Sequence, residues 1–313
     1  MNPVDLAGLP PAPDGGPPVR IERRLLDQVP CAATVGPVRL LGDRLIVHCE
    51  NPELALFLGA FLAHFEAAAD AGTTLHVIEV GGRWAAYQDG GRALWAASVP
   101  AMARSLVWLL NAIALAAPAP DVHVHAAVAS LGGRAVILPG RSGAGKTTLV
   151  AAMALDGWSY LSDEVAAFDV HHDLVHPYPR PLALEQGSWA LVPDALGRWP
   201  DDVPELVTDL GLVLPATLGP AGPPVAARPV AIVFAEVIAG AVTALEPLTR
   251  AEAIERLVGL AFNLRSVGRD GFGALAGAVR RSSCHRLVLD GVAGAPGLLR
   301  ALVGPPAERE RSP

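Results

Sequence analysis

The stretch LPGRSGAGKTTL, residues 138–149, carries the pattern that decides the fold. Gly140 to Thr147 satisfy the spacing GxxxxGK[ST], in which glycines let a loop curl so that successive backbone N–H groups point inward at a phosphate chain. On this reading Gly140, Arg141, Ser142, Gly143, Ala144 and Gly145 form the cradle, and Lys146 reaches the outer phosphates. Thr147 offers its hydroxyl to Mg²⁺, and Thr148 lies in the first turn of a helix whose positive end faces the anion. Apolar and β-branched residues precede the loop in RAVILPG, and good helix formers follow it in KTTLVAAMALDG, which Gly157 closes. ATP or GTP is the expected ligand, with Mg²⁺.

Upstream of the loop, VHVHAAVAS and RAVILPG read as two strands joined by Gly132-Gly133, a tight hairpin. The loop's own strand then has an antiparallel neighbour, which a plain series of βαβ units lacks, so a mixed sheet is expected. Downstream, WSYLSDEVAAFDV is strand-like on both sides of Asp163-Glu164. After one helix and a returning strand, these carboxylates can sit beside the outermost phosphate, to hold Mg²⁺ or take a proton from an attacking hydroxyl. A solvated turn fits the same two residues. His125 lies on the strand that pairs with the loop's strand, with His123 on the same face; taken alone, each fits a core position as well as a site.

The loop does not name a reaction. ATP-binding cassette proteins share SGAGKTTL but need an LSGGQ signature, and adenylylsulfate kinases need a DGD-type motif; this chain has neither.

Residues 123 to 184, from VHAAVASLGGRAVILPGRSGAGKTTL through GWSYLSDEVAAFD to VHPYPRPLAL, resemble the catalytic core of HPr serine kinase/phosphorylase. They are still more similar to the HprK-related kinases that accompany lasso-peptide and other modified-peptide gene clusters. The resemblance implies an α/β P-loop kinase domain of the HPr kinase and phosphoenolpyruvate carboxykinase-like fold, with a mixed β-sheet, preceded by a small α/β N-terminal region. It implies that Asp163 deprotonates a serine hydroxyl, that Glu164 serves magnesium or supports it, and that His125 orients the acid or the phosphoryl group. The acceptor would be a peptide or protein, a ribosomal precursor peptide among them, and a homo-oligomer would fit. The family's usual Asp-Asp pair is Asp163-Glu164 here, and its usual serine is Thr147; both exchanges keep the needed oxygens. The likeness does not extend to the signature of the phosphorylase reaction or to the helix that grips HPr.

With 313 residues, 51% of them hydrophobic, and a net charge of −7, the chain is too apolar for disorder and too acidic for general nucleic-acid binding. Three scattered cysteines give neither a disulfide framework nor a CxxC metal site, which fits a reducing cytoplasm. Neither LALFLGAFLAHF nor SLVWLLNAIALAAPA reaches the ~20 uninterrupted apolar residues of a membrane span, so buried helices are expected. The expected organisation is a flexible tail at 1–19, an α/β region at 20–118 without a recognisable chemical motif, the kinase-like domain at 119–305, and a tail at 306–313. Within it, 187–229 reads as a mobile or substrate-facing excursion, and Thr249 with Glu252 as a capping box. Arg141, Arg180, Arg250 and Arg265 are candidates to stabilise a transferred phosphoryl group, and Glu185 to join a metal shell; Trp158 and Tyr160 read as packing. A nucleotide-switched binding module and a small-molecule kinase stay open beside the serine kinase.

Overall fold

The computed structural model describes residues 14–184, 186–196, 203–219 and 224–304. The expected terminal stretches 1–13 and 306–313, and Glu185, lie outside them. The described residues divide into two compact units, 14–118 with 203–210, and 119–196 with 211–304.

In the first unit, a single turn α1 (Arg23–Leu26) leads to β1 (Ala33–Leu40) and β2 (Asp43–Cys49), an antiparallel pair. RLLGDRLIVHCE alternates apolar and polar residues as a single strand would, but Leu41, at φ 52, turns the chain back on itself. Asn51 caps α2 (Pro52–Leu62) by accepting from Leu54 N at 2.9 Å, with proline at the first helical position where no donor is lost. β3 (Thr73–Val80) returns parallel to β2, and β4 (Arg83–Gln88) and β5 (Gly91–Ala96) complete the five-stranded order β1-β2-β3-β4-β5. The last strand escaped sequence reading, because GRALWA lacks a clear alternation. α3 (Val99–Ala116), capped by Ser98, buries Met102, Leu106, Leu110 and Ile113. Among the described helices it alone is long and apolar enough to cross a membrane; its buried stripe is the pattern of a core helix.

Residues 14–19 depart from the expected loose tail. Tyr87 donates its hydroxyl to the Pro18 carbonyl at 2.9 Å, Arg92 pairs with Asp14 at 2.6 Å, and residues 16–18 are buried.

The second unit is built on the hairpin expected from the glycines. β6 (Val122–Leu131) and β7 (Arg134–Pro139) pair antiparallel across Gly132-Gly133, both at positive φ. The loop leads to α4 (Lys146–Leu155), followed by β8 (Ser159–Ser162), β9 (Val165–Phe168) and β10 (Val175–His176). Next come β11 (Leu182–Ala183), α5 (Gln186–Trp189) and α6 (Pro193–Leu196), then α7 (Glu205–Asp209), which belongs to the first unit and packs on α2. β12 (Leu212–Val213) pairs with β11. β13 (Arg228–Val237), β14 (Ala244–Pro247), α8 (Arg250–Gly259), α9 (Leu264–Arg281), β15 (Ser283–Leu289) and α10 (Ala295–Val303) finish the chain.

The large sheet runs β10-β9-β6-β7-β13-β15-β14, with β8 also on β6; β7, β13 and β15 are parallel and the other pairs antiparallel. This is an α/β fold with a mixed sheet. Its central strands β9, β6, β7 and the middle of β13 are buried on both faces, hence their nearly continuous apolar runs. Val136 and Leu138 face a core shared with Leu149 and Met153 of α4 and Leu299 of α10, while Ala135 and Ile137 face Leu257 of α8 and Leu275 of α9. Where it is described, the 187–229 stretch, read as a mobile or substrate-facing excursion, sets Val192, Ala195, Val213 and Leu218 in the α4-side core.

Candidate active site

The fold brings a glycine loop, a histidine and an acid pair to one end of β6, β7 and β8. Gly143 (φ 81) and Gly145 (φ 79) hold left-handed conformations that a side chain would strain, and Gly145 opens α4. A Cβ at Gly145 would also lie 3.1 Å from Val237 Cγ2. No side chain caps this helix start, so its first amides keep their hydrogen-bonding capacity for an anion.

Lys146 is buried, 5% exposed, and its ammonium turns back into the loop. Nζ donates to the Arg141 carbonyl at 2.8 Å and meets His125 Nε2 at 3.1 Å. An ammonium only donates, so Nε2 accepts; His125 Nδ1 then carries the proton and donates to the Glu164 carbonyl at 3.0 Å. His125 thereby links the loop lysine to the acid pair, its Nδ1 also lying 3.4 Å from Glu164 Oε1. Burial pushes the Lys146 ammonium below the ordinary lysine range, and the carboxylates of Glu164 and Asp163 oppose that shift.

The acids sit at a break between β8 and β9, which run in succession along the same edge of β6. Ser162 makes the break: its fully buried hydroxyl oxygen accepts from Glu164 N at 3.1 Å and Val165 N at 2.9 Å, turning two amides away from the ladder. Asp163 is 2% exposed yet fully satisfied. Its Oδ1 accepts from Arg180 Nε at 3.0 Å and lies 3.1 Å from the Tyr160 hydroxyl, and its Oδ2 accepts from Arg180 Nη2 and Thr147 Oγ1, each at 3.3 Å. Arg180 Nη2 also reaches Glu164 Oε2 at 3.1 Å. Burial opposes the charge of Arg180, but Asp163 and Glu164 outweigh it and hold the guanidinium above its ordinary value. Burial, with Asp163 beside it, drives the Tyr160 phenol well above the tyrosine range, so it stays a donor.

His125, Lys146, Thr147, Asp163, Glu164 and Arg180 line a cleft of about 220 Å³ together with Ser142, Ala183, Leu184 and Ser188; Ser188 accepts from Thr148 Oγ1 at 2.8 Å. A ligand pocket for a whole small molecule spans roughly 300–1,000 Å³, so this cleft fits a phosphate chain rather than a complete nucleotide. A wider cavity of about 660 Å³ opens on the other side of the loop, where Arg256 lies 5.3 Å from the Phe234 ring and Gly140, Arg141 and Ala144 form the near wall.

Ser142, Gly143, Gly145, Lys146, Thr147 and Thr148 of the loop thus meet His125, Asp163 and Glu164 in the cleft, whereas Gly140, Arg141 and Ala144 face the other cavity; of the four candidate arginines the cleft contains Arg180. The Arg141 side chain is exposed, Arg250 bonds the Arg280 carbonyl at 3.2 Å, and Arg265 is exposed on α9. His123 is apart from the cleft, 1% exposed, and burial lowers it to about 4. Trp158 is core. Tyr160 and Ser188 were missed: the former read as packing, although its position three residues before Asp163 was a usable signal, and the latter lies in a stretch with no motif. Neither a protein-family model nor a curated protein matches the chain.

Proposed function

We propose that the chain is an ATP- and Mg²⁺-dependent kinase of the P-loop class, transferring the γ-phosphoryl group to a hydroxyl, most simply a serine of a peptide or protein. The observation that carries this reading is the constellation itself: a buried loop lysine wired through His125 to an acid pair, with Thr147 on one oxygen of that pair. A loop that only holds phosphate needs no buried carboxylates facing it, since these repel the ligand.

The donor set fits a magnesium ion. Thr147 and one or both of Asp163 and Glu164 would hold it, all oxygen ligands of the kind this cation takes; bound there it would neutralise charge on the phosphates. The chain's own groups do the rest. Loop amides and Lys146 grip the phosphate chain. Arg180 exchanges its carboxylates for the oxygens of the phosphoryl group in transit, which frees an Asp163 oxygen to accept the hydroxyl proton. The acceptor oxygen forms the new bond to phosphorus as the bond to the nucleoside diphosphate breaks. Tyr160 keeps Asp163 aimed, and His125 keeps Lys146 in place. The wider cavity beyond the loop has room for the nucleoside.

Incubation with γ-labelled ATP, Mg²⁺ and serine-bearing peptides encoded beside the gene, followed by mass spectrometry, tests this. Label on a peptide hydroxyl supports it. ATP binding without transfer to any acceptor, in the wild-type chain, identifies a nucleotide-switched binding module instead, and label on a small alcohol alone identifies a small-molecule kinase.

A further inference from the structure

Three neighbouring strands of the large sheet have ends that meet at the start of β6, at Asp121, four residues before His125 and outside the lining of the cleft. Asp121 immediately precedes β6, Asp169 immediately follows β9, and His176 closes β10. The register sets His123 opposite Ala167 and Ala167 opposite His176. With side chains alternating along each strand, Asp121, Asp169 and His176 fall on one face of the sheet.

Their polar atoms converge. His176 Nε2 lies 3.2 Å from Asp169 Oδ2 and 3.9 Å from Asp121 Oδ2. His172 Nδ1 approaches the same Asp169 oxygen at 3.0 Å, while Asp169 Oδ1 is occupied by the amides of His171 and His172 at 2.7 and 2.8 Å. One oxygen of Asp169 therefore fixes the turn and the other faces the imidazoles. A tetrahedral ion with bonds of about 2.0–2.2 Å holds its ligand atoms roughly 3.3–3.6 Å apart, and the observed separations bracket that spacing.

Charge points the same way. Asp121 and Asp169 are only 21% and 12% exposed. Among the described residues, no lysine or arginine pairs with either; their ion-pair partners are imidazoles. Two close, partly desolvated carboxylates need a cation. The mixed oxygen and imidazole donor set selects against Mg²⁺ and Ca²⁺, which take oxygen, and suits the zinc class.

We propose that Asp121, Asp169 and His176, whose ligand atoms all lie within 4.8 Å of one another, bind a divalent cation of the zinc class through three protein ligands. The ion ties the ends of β6, β9 and β10. It thereby steadies β9, the strand that begins where the Asp163–Glu164 break ends. This site is independent of the nucleotide reading.

The test uses the full chain, freed of metal by a chelator and without nucleotide, titrated with Zn²⁺ in competition with a chromophoric chelator. One equivalent bound at micromolar affinity or tighter, with the unfolding midpoint raised by several degrees, supports the site, provided that Asp169→Asn and His176→Gln each weaken binding tenfold or more and His48→Gln, in the first unit, does not. Binding weaker than micromolar in the wild type, or wild-type affinity in both ligand variants, overturns it. Asp169 also holds the turn, so if Asp169→Asn loses its circular dichroism, His176→Gln and Asp121→Asn decide by the same criterion.

Discussion

Arg180 illustrates how much a single side chain depends on the backbone that carries it. It stands between Pro179 and Pro181, whose fixed rings reduce the freedom the chain loses when the guanidinium is aimed. Its planar fork reaches both carboxylates through three contacts, which a lysine ammonium cannot reproduce. Arg180→Lys should lower kcat about 10²-fold or more, with a smaller effect on KM for ATP, by steady-state kinetics. Asp163→Asn should abolish detectable transfer, roughly a 10²–10⁴-fold loss, while ATP affinity by calorimetry stays near wild type. Lys146→Ala should instead weaken nucleotide binding itself. The loop, His125 and the acid pair were legible because their chemistry is bound to residue type at fixed spacing. The choice of Arg180 among four arginines was not, since only the packing of its segment on β8, through Tyr178 N to the Leu161 carbonyl at 2.9 Å, aims it. The thiols give a further check. Burial pushes Cys49 up to about 11 and also raises Cys284, so neither ionises appreciably at pH 8, whereas Cys31 is exposed. A thiol reagent at pH 8 should modify Cys31 rapidly in the native chain, and Cys49 should react only as the pH approaches 11 or the chain unfolds.

At the scale of elements, the break between β8 and β9 places the acids, and Ser162 holds the break open. Ser162→Ala leaves two buried amides without their acceptor, at a cost of about 1–3 kcal/mol. Urea denaturation should show that loss, and transfer should fall further than stability explains, because Asp163 and Glu164 ride on the turn. The capping box of α8 is a contrasting case: Thr249 accepts from Glu252 N at 3.3 Å and Glu252 accepts from Thr249 N at 2.9 Å. Thr249→Ala should cost about 1 kcal/mol with transfer unchanged. That box, the Asn51 cap and the glycine hairpin could be read in advance because local chemistry determines each of them. β5 and the hairpin of β1 with β2 could not, because GRALWA and the turn at Leu41 are settled by strand neighbours distant in sequence.

For the molecule as a whole, the two units are not simply consecutive. α7 comes from within the second half of the chain yet buries Leu206 and Val207 in the first unit. A fragment beginning at residue 119 would carry α7 without α2 and expose both side chains, about 1.5–3 kcal/mol of apolar burial for each if fully lost. It should bind a hydrophobic dye more strongly and aggregate more readily than the intact chain, as gel filtration will show. Sequence reading placed a division near residue 118 but had no means to detect the later return, since a five-residue helix leaves no periodic signature.

The four charges in the cleft cancel: Lys146 and Arg180 offset Asp163 and Glu164. An approaching polyphosphate therefore meets no net side-chain charge in the cleft, only the amides and positive end of α4 at short range, and at longer range it meets a chain of net charge −7. Added salt shortens the screening distance, to about 8 Å at 0.15 M, and so hides that repulsion. Encounter with ATP should then quicken as ionic strength rises, the reverse of an electrostatically guided enzyme, and stopped-flow association rates across a salt series will reveal the sign.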